Sequence, residues 1–396
     1  MRCPLPMVLL LAAACNSAGA KVALNVPAID TLPGGIVRVR NSGPTEWADT
    51  SGWKLVLEHT FTMADGSPGQ LNDPGAIVVD SKGNFYILDQ KPATIKAYGS
   101  DGAFLRTIGK DGSGPGEFRQ WGLLMIAHDT LVEHDPRQSR TSLFTTDGQF
   151  IRVWLTLCCH SRPVSADDNG LISIPGSIKI DTTAGRKSLF AGAGFVRFRL
   201  DSTVADTVLF PTEPVRKLWE FHNKQNNSSW SIPFTAGTSS RLDRAGRFVW
   251  ADQENYRFII SKTGLDTTRI FESVPGPVAT IPDSLRKEQF DSYTKGNPDL
   301  RGIAKMADIP TVYPAWTTFV VDGANNLWVL LPGAKGPGTF WDVFTADGTL
   351  LGRVPATFSE PWRTFWTRDH VYSVEDDEST GSTAIKVYRI DKGGKR

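Results

Sequence analysis

The chain has 396 residues, enough for two or three average domains or for one large repeat domain. Its 43 Lys and Arg residues balance 42 Asp and Glu residues, giving a net charge of +1, and no basic block stands out. We therefore expect no nucleic-acid partner. The 37 Gly and 25 Pro residues interrupt almost every window, which argues against long helices and favours short strands joined by turns.

Residues 1–20 have the composition of an export signal. Arg2 precedes a mostly apolar run, residues 5–14, that is too short to span a membrane as a helix. The run ends in Ala-Ala-Ala-Cys15, which resembles a bacterial lipobox and predicts lipidation of Cys15. Ordinary signal cleavage after Ala20 is the alternative. Either way, we expect the folded part to face the periplasm or the exterior and to contact the membrane only through a lipid anchor.

Two adjacent cysteines, Cys158 and Cys159, lie in the middle of the chain. They are either two buried thiols at the end of a strand or a vicinal disulfide, which an oxidising compartment would permit. With His160 they form a triplet, but metal sites usually space their ligands, so we expect no metal there. The four cysteines provide no disulfide framework, so a hydrophobic core must hold the fold.

A repeated phrase organises the chain. Pro68-Gly69 and the residues after it return 47 positions later as Pro115-Gly116. Four strand-like segments separate the two copies: residues 76–80, 84–89, 94–98 and 104–108. Four short strands in a period of about 40 to 50 residues are typical of one propeller blade.

The same pattern continues through five further segments, of which the third blade is the most degenerate. Asp-Gly turns beginning at Asp101, Asp147 and Asp347 lie between third and fourth strands, where a tight hairpin needs positive φ. We therefore predict an all-β fold, a six-bladed β-propeller of four-stranded antiparallel blades over residues 61–395. The lead-in, residues 21–60, is predicted to supply a strand that closes the ring.

These motifs resemble a known family. The Pro-Gly phrase, followed by a Val-Val-Asp-x-x-Gly-Asn-x-Tyr strand pair, is similar to NHL-type six-bladed propellers and to the TolB-like propeller lipoproteins of bacteria. The resemblance covers residues 50–392 approximately. It implies the fold more specifically than the function, because this fold is shared by binding modules, lyases and esterases.

The connection between blades 4 and 5, residues 274–315, is longer than a normal blade connection. Asp283 or Ser284 is a candidate cap for a short helix over residues 285–293, which would end by Gly296. We therefore predict a short helical insertion within the propeller. Long loops in compact domains often carry function.

Aligning the blades places aromatic and basic side chains on one face of the ring, where each blade connects to the next. We predict a ligand-binding mouth at this face. Its candidate residues are Trp121, Trp230, Trp316, Trp362, Arg119 and Arg363. The alternative is that the tryptophans pack between neighbouring blades and seal the core.

The inner strands at residues 76–79, 123–126 and 318–321 are nearly all apolar, whereas metal-dependent propeller enzymes usually carry metal ligands there. We therefore expect a non-catalytic module of the cell envelope, without a cofactor, that binds a protein, peptide or glycan. A periplasmic hydrolase or lyase is the alternative, and it could use a divalent metal. Asp89, Asp135, Asp252 and Asp376 recur at strand ends, where we expect them to cap turns.

Overall fold

A computed structural model of the chain describes residues 26–42, 47, 52–63, 66–119, 122–156, 164–180, 189–212, 214, 216–222, 227–274, 279–332, 340–358, 361–377 and 382–393. Within these ranges the chain forms the predicted six-bladed β-propeller. Three strands precede the first blade: β1 (Ala28–Leu32), β2 (Ile36–Asn41) and β3 (Lys54–Thr62).

Blades 1 and 2 follow the repeat. The strands of blade 1, from inside to outside, are β4 (Pro74–Val79), β5 (Phe85–Gln90), β6 (Ala93–Tyr98) and β7 (Phe104–Ile108). Two short parallel strands in the next connection are β8 (Lys110–Asp111) and β9 (Glu117–Phe118). Blade 2 consists of β10 (Leu123–Ala127), β11 (Thr130–Asp135), β12 (Arg140–Thr145) and β13 (Phe150–Leu155).

Blades 3 and 4 are separated by an added hairpin. Blade 3 consists of β14 (Ser165–Ala166), β15 (Ile172–Ile180), β16 (Leu189–Phe198) and β17 (Val204–Leu209). The hairpin is β18 (Leu218–His222) and β19 (Asn227–Ser231). Blade 4 consists of β20 (Thr238–Leu242), β21 (Phe248–Asp252), β22 (Arg257–Ser261) and β23 (Arg269–Ser273), and β2 extends it by pairing in parallel with β23.

The predicted helix lies between blades 4 and 5. Helix α1 (Asp283–Gly296) is followed by two 3-10 turns, Pro298–Leu300 and Met306–Asp308. Helix α1 has no side-chain cap at Pro282, its N-cap residue, so neither Asp283 nor Ser284 caps it as the sequence suggested. Instead, the Asp283 carboxylate pairs with Arg286 one turn further on, at 2.7 Å.

Blades 5 and 6 complete the ring. Blade 5 consists of β24 (Thr318–Val321), β25 (Leu327–Leu330), β26 (Phe340–Phe344) and β27 (Leu350–Pro355). A 3-10 turn, Pro361–Arg363, leads into β28 (Thr364–Trp366), β29 (His370–Asp377) and β30 (Ser382–Asp391) of blade 6. Strand β3 pairs antiparallel with β30 and is the fourth strand of this blade, so the predicted closure by the lead-in is confirmed.

The core of the ring lies between the blades. Aromatic and branched side chains from the inner and middle strands of neighbouring blades form separate buried clusters. The predicted Asp-Gly hairpins are present, with φ of +96° at Gly148 and +90° at Gly348. At such angles glycine avoids the clash that a Cβ would cause. Among the described residues, no helix is long and apolar enough to cross a membrane.

Candidate functional site

Aspartates at the lower turns shape the blades. In blade 1, Asp80 accepts backbone N–H bonds from Lys82 and Asn84, each at 2.9 Å, between β4 and β5. Asp322 does the same for Ala324 and Asn326 in blade 5. These carboxylates therefore hold the turn between the first two strands in one geometry. We call the ring face with these turns the lower face and the opposite one the upper face.

Aspartates also hold the upper face, where connections enter the inner strands. The buried Asp89 of blade 1 accepts the backbone N–H groups of Asn72 and Asp73. Asp135 of blade 2 accepts the N–H of Arg119 at 3.0 Å. Asp89 and Asp135 therefore cap local structure, as the sequence suggested.

In blades 4 and 6 the same position binds an arginine side chain instead. Asp252 accepts a hydrogen bond from Nη2 of Arg216 at 2.7 Å, and Asp376 accepts two from Arg363, at 2.7 and 3.3 Å. The hydrogen bond from Arg363 holds the pKa of Asp376 below its usual value. Here an arginine side chain ties the incoming connection to the blade, where blades 1 and 2 use backbone N–H groups.

Two long connections pack together on the upper face beside blade 4. Residues 210–237, with the hairpin β18–β19, enter the blade, and residues 274–317, with α1, leave it. Their shared core, which we call the insertion cluster, consists of Trp219, Ile232, Leu300 and Ile309. The sequence predicted the second of these insertions, whereas the first was not recognised.

Aromatic and polar contacts join the two connections. The Trp219 ring lies edge-on to Phe290 and Tyr293 of α1, at 6.2 and 6.1 Å between ring centroids. Its Nε1 donates to Asp308 Oδ2 at 3.0 Å, and Lys217 Nζ lies 2.6 Å from Oδ1 of the same carboxylate. The two insertions therefore form one packed unit on the ring.

A cavity of about 610 Å³ opens between this unit and the inner strand of blade 4. Its lining combines five hydroxyl side chains, three cationic ones and several small or apolar ones. The lining residues are Pro214, Arg216, Lys217, Leu218, Ser231, Ile232, Thr235, Ala236, Gly237, Thr238, Ser239, Ser240 and Arg241. Among the described residues, the lining includes no acidic and no aromatic side chain.

Two of the cationic residues of the lining, Arg216 and Arg241, are held in place by neighbouring groups. Arg216 donates to Asp252 and to the backbone oxygen of Ala236. Its Nε is buried without a hydrogen-bond partner among the described residues. The guanidinium of Arg241 lies over the Phe319 ring of blade 5, at 5.9 Å from the centroid. Fixed cations and hydroxyls next to apolar walls are typical of a ligand site.

The lower end of the ring axis is narrowed by a contact across it. Arg244, in the first turn of blade 4, places its guanidinium 5.5 Å from the ring centroid of Phe365 in the inner strand of blade 6. Blades 4 and 6 are not neighbours, so this contact bridges the axis.

Four of the mouth residues predicted from sequence lie near blade 2, near blade 6 and on the hairpin β18–β19. Trp362 is 70% exposed beside blade 6, and Arg363 next to it pairs with Asp376. Arg119, at blade 2, donates to the Ser113 hydroxyl at 3.0 and 3.2 Å. Trp230 is half-buried against the insertion cluster. None of these four lines the cavity.

Trp316 and Trp121 complete the predicted set. Trp316 is 0% exposed; its ring packs against Phe258 and Phe319, and its Nε1 donates to the backbone oxygen of Asn255 at 3.0 Å. This is the interblade packing that the sequence left as the alternative for the tryptophans. Trp121 lies outside the described residues, as do Cys15, Cys158 and Cys159.

The cavity residues on β20 were missed because Thr238-Ser239-Ser240-Arg241 shows no apolar alternation. A signal was nevertheless present in the register. Asp243 and Asp252 repeat the spacing of Asp80 and Asp89, and an inner strand comes directly before Asp80. The residues before Asp243 therefore had to be an inner strand, and a polar one.

A buried acid lies away from the cavity, between blades 1 and 2. Both carboxylate oxygens of Glu133, on β11, are buried without a hydrogen-bond partner in the described part of the chain. Burial raises the pKa of Glu133 well above its usual value, and the nearby Asp135 raises it further. A Cβ at Gly122 would come within 2.6 Å of Oε1, so a larger residue there would displace the Glu133 side chain. Within the described ranges, no three His, Cys, Asp or Glu side chains group as metal ligands.

No protein-family model and no curated protein matches the chain. Among solved structures, it is similar to a “putative exported protein” from Bacteroides fragilis, with 13% identity and a TM-score of 0.49 over 89% of this chain and 99% of that one. A DUF4221 family member from Bacteroides vulgatus has 12% identity and a TM-score of 0.47, over 86% and 98%. Virginiamycin B lyase from Staphylococcus aureus has 12% identity and a TM-score of 0.41, over 86% of this chain and 99% of that one. The resemblance to NHL-type and TolB-like propellers stays a prediction.

Proposed function

We propose that the chain is an exported, non-catalytic binding module of the cell envelope that takes a protein, peptide or glycan into the cavity beside β20. The observation that carries this proposal is the cavity itself. Its volume of about 610 Å³ lies within the range of known ligand sites, roughly 300–1,000 Å³. Its lining mixes apolar walls with a few fixed polar groups, as such sites do.

The packing around the cavity supports the proposal. Trp219 of β18 and Ile232 just after β19 are buried in the insertion cluster and so hold the hairpin on the ring. The same hairpin supplies Leu218 and Ser231 to the lining. Asp252 and Asp308 fix Arg216 and Lys217 from outside. A site whose side chains are already held loses little conformational entropy when a ligand binds.

The predicted lipid anchor would locate the module at a membrane surface. Lipidation at Cys15 would tether the ring to a membrane surface. The proposed partners are therefore envelope components. A periplasmic hydrolase or lyase using the same cavity is the alternative function.

The test is capture of envelope components by the anchored full-length protein and by one variant that fills the cavity. Ser231 is exposed on β19 and lines the cavity, so Ser231→Trp should obstruct it. Ser229→Trp is the matched control, because Ser229 is exposed two residues earlier on the same strand and lies outside the lining. We expect a component retained by the wild type and by Ser229→Trp, and lost with Ser231→Trp.

Two results would contradict the proposal. If both variants retain everything that the wild type retains, the cavity is not the binding site. If the wild type converts a retained component into a product, the hydrolase or lyase alternative is favoured.

A further inference from the structure

The outer edge of blade 2 exposes a row of apolar side chains. Ile151, Val153 and Leu155 of β13 are 43%, 36% and 82% exposed. Because side chains alternate along a strand, these three lie on the same side of β13. Exposed apolar side chains grouped in this way mark sites of protein association. The row therefore indicates a docking surface that is separate from the cavity beside β20.

The main chain of β13 has a free edge within the described part of the ring. Strand β13 is the last strand of its sheet and pairs only with β12 among the described strands. Just beyond this pairing, Thr156 N–H donates to Ser139 O at 2.7 Å. Such bonds alternate along an antiparallel pair, so Thr156 and Trp154 face β12. Val153 and Leu155 therefore direct their N–H and C=O groups outward, away from the blade.

Outer edges elsewhere in the ring are covered or carry charge. In blade 4, β2 pairs along β23, and in blade 5 Trp47 N–H donates to Leu351 O on β27. The outer strands of blades 1, 3 and 6 carry the charged residues Arg106, Asp206 and Glu58. Charged side chains keep an exposed edge from pairing with other chains. On β13 the charged Arg152 is turned away from the apolar row, since its Nη1 donates to Asp201 O of blade 3 at 2.9 Å.

The apolar row is complementary to itself. Ile151 and Leu155 lie two residues on either side of Val153, so the pattern reads the same in both directions. A copy of β13 in antiparallel orientation, related by a two-fold axis at Val153, places Val153 across from Val153 and Ile151 across from Leu155. In this register the outward N–H and C=O groups of Val153 pair with those of the copy.

A second copy thus supplies both the apolar row and the strand that this edge lacks. We infer that the chain forms a two-fold dimer by antiparallel pairing of β13 with β13 of a second copy. The dimer leaves the cavity beside β20 outside the interface, because β20 belongs to blade 4 and β13 to blade 2. The inference therefore goes beyond the proposed function and does not depend on it.

Sedimentation of the full-length protein in detergent, over a concentration series, gives the first test. One strand from each copy is a small contact compared with the roughly 800 Å² per partner of a standard interface, so we expect dissociation on dilution to micromolar concentration. Val153→Lys places two like charges at the two-fold axis and should give a monomer at every concentration. Leu105→Lys is the matched control, since Leu105 is 45% exposed on the outer strand of blade 1, and it should leave the dimer intact.

Cysteine cross-linking tests the register. In the inferred dimer the two Val153 Cα atoms lie about 5.5 Å apart, which is within the range of a disulfide. Val153→Cys should therefore give a covalent dimer on mild oxidation. Leu155→Cys should not, because four residues of strand, about 13 Å, separate the two Leu155 positions. The wild type, oxidised in the same way, shows what its own cysteines contribute.

Three results would overturn the inference. They are a protein that is monomeric at every concentration, a dimer that Val153→Lys leaves intact, and a covalent dimer that Val153→Cys does not form more readily than Leu155→Cys. Melting temperatures show whether each variant is folded. If Val153→Lys is destabilised, Leu155→Lys replaces it, because Leu155 is 82% exposed and a charge there buries against Ile151 only in the dimer.

Discussion

Blades 1 and 4 carry an aspartate at the same upper position but use it differently. In blade 1, Asp89 is fully buried and holds the backbone of the short incoming connection at Asn72 and Asp73. In blade 4, Asp252 holds the side chain of Arg216, which belongs to a long connection that forms a cavity wall. A position that only stabilises the repeat in one blade therefore supports a candidate binding site in another.

The comparison extends to the cores of the two regions. The ring core around Trp316 belongs to blades 4 and 5, whereas the insertion cluster around Trp219 lies outside any blade. Both tryptophans are buried, at 0% and 1% exposure. The buried Trp316 therefore stabilises the ring, whereas the equally buried Trp219 stabilises the insertions that pack on it.

The largest expected effect comes from replacing the two buried tryptophans, Trp316 and Trp219. Trp316→Ala should lower the free energy of unfolding of the whole ring by about 3–5 kcal/mol, because it leaves a cavity between two blades. Trp219→Ala should instead loosen the insertions, with faster amide hydrogen exchange over residues 218–231 and 283–309 and little change in the melting temperature of the ring. An equal loss of melting temperature in both variants would show that the insertions and the ring unfold as one unit.

The next effect separates the two aspartates. Asp89→Ala removes the acceptor of two N–H groups and should cost about 2–3 kcal/mol of stability, measured by urea unfolding. Asp252→Ala should cost about 1 kcal/mol, since Arg216 keeps its bond to Ala236, but should abolish capture of the cavity-dependent component. Intact capture in Asp252→Ala would contradict the anchoring role of this carboxylate.

The smallest effect concerns Glu133, a buried acid in the regular half of the ring. Its pKa is raised in the folded protein, so its contribution to stability is full below its unfolded value of 4.5 and declines as the pH rises. Glu133→Gln should therefore be more stable than the wild type by about 1 kcal/mol at pH 7, with a smaller advantage at pH 5. Melting temperatures at pH 5, 7 and 8 measure this difference.

The neighbouring histidine does not obscure that comparison. Burial lowers the pKa of His134 to about 4, so its contribution to stability is lost as the pH falls below 6.5. The wild type and Glu133→Gln share this loss, and it cancels in their difference. An advantage that stays the same from pH 5 to pH 8 would show that the pKa of Glu133 is not raised in the folded protein.

The regular blades could be predicted from sequence because their signals are local. Each of these signals depends on residues that are close together in the sequence. They are the repeated phrase at Pro68 and Pro115, the Asp-Gly turns and the nine-residue spacing of Asp80 and Asp89. The cavity could not be predicted in the same way. It depends on Arg216 meeting Asp252 and on Trp219 meeting α1, contacts between segments that carry no repeat.

The aromatic residues show the same limit. Trp230, Trp316 and Trp362 look alike in the sequence, but one packs on the insertion cluster, one is buried in the ring and one is exposed. Which of these occurs depends on what packs over each ring in three dimensions. Composition identifies tryptophan-rich connections without deciding which of them are open to a ligand.

The closure of the ring by β3 and β30 has a consequence for how the molecule is made. The two strands are separated by about 320 residues of chain, so β3 has no partner until β30 has been synthesised. Until then an edge of blade 6 and the apolar side chains of β3 are exposed to other molecules. We therefore expect a nascent or truncated chain to need a chaperone, and loss of the last strand to harm assembly far more than loss of one surface loop.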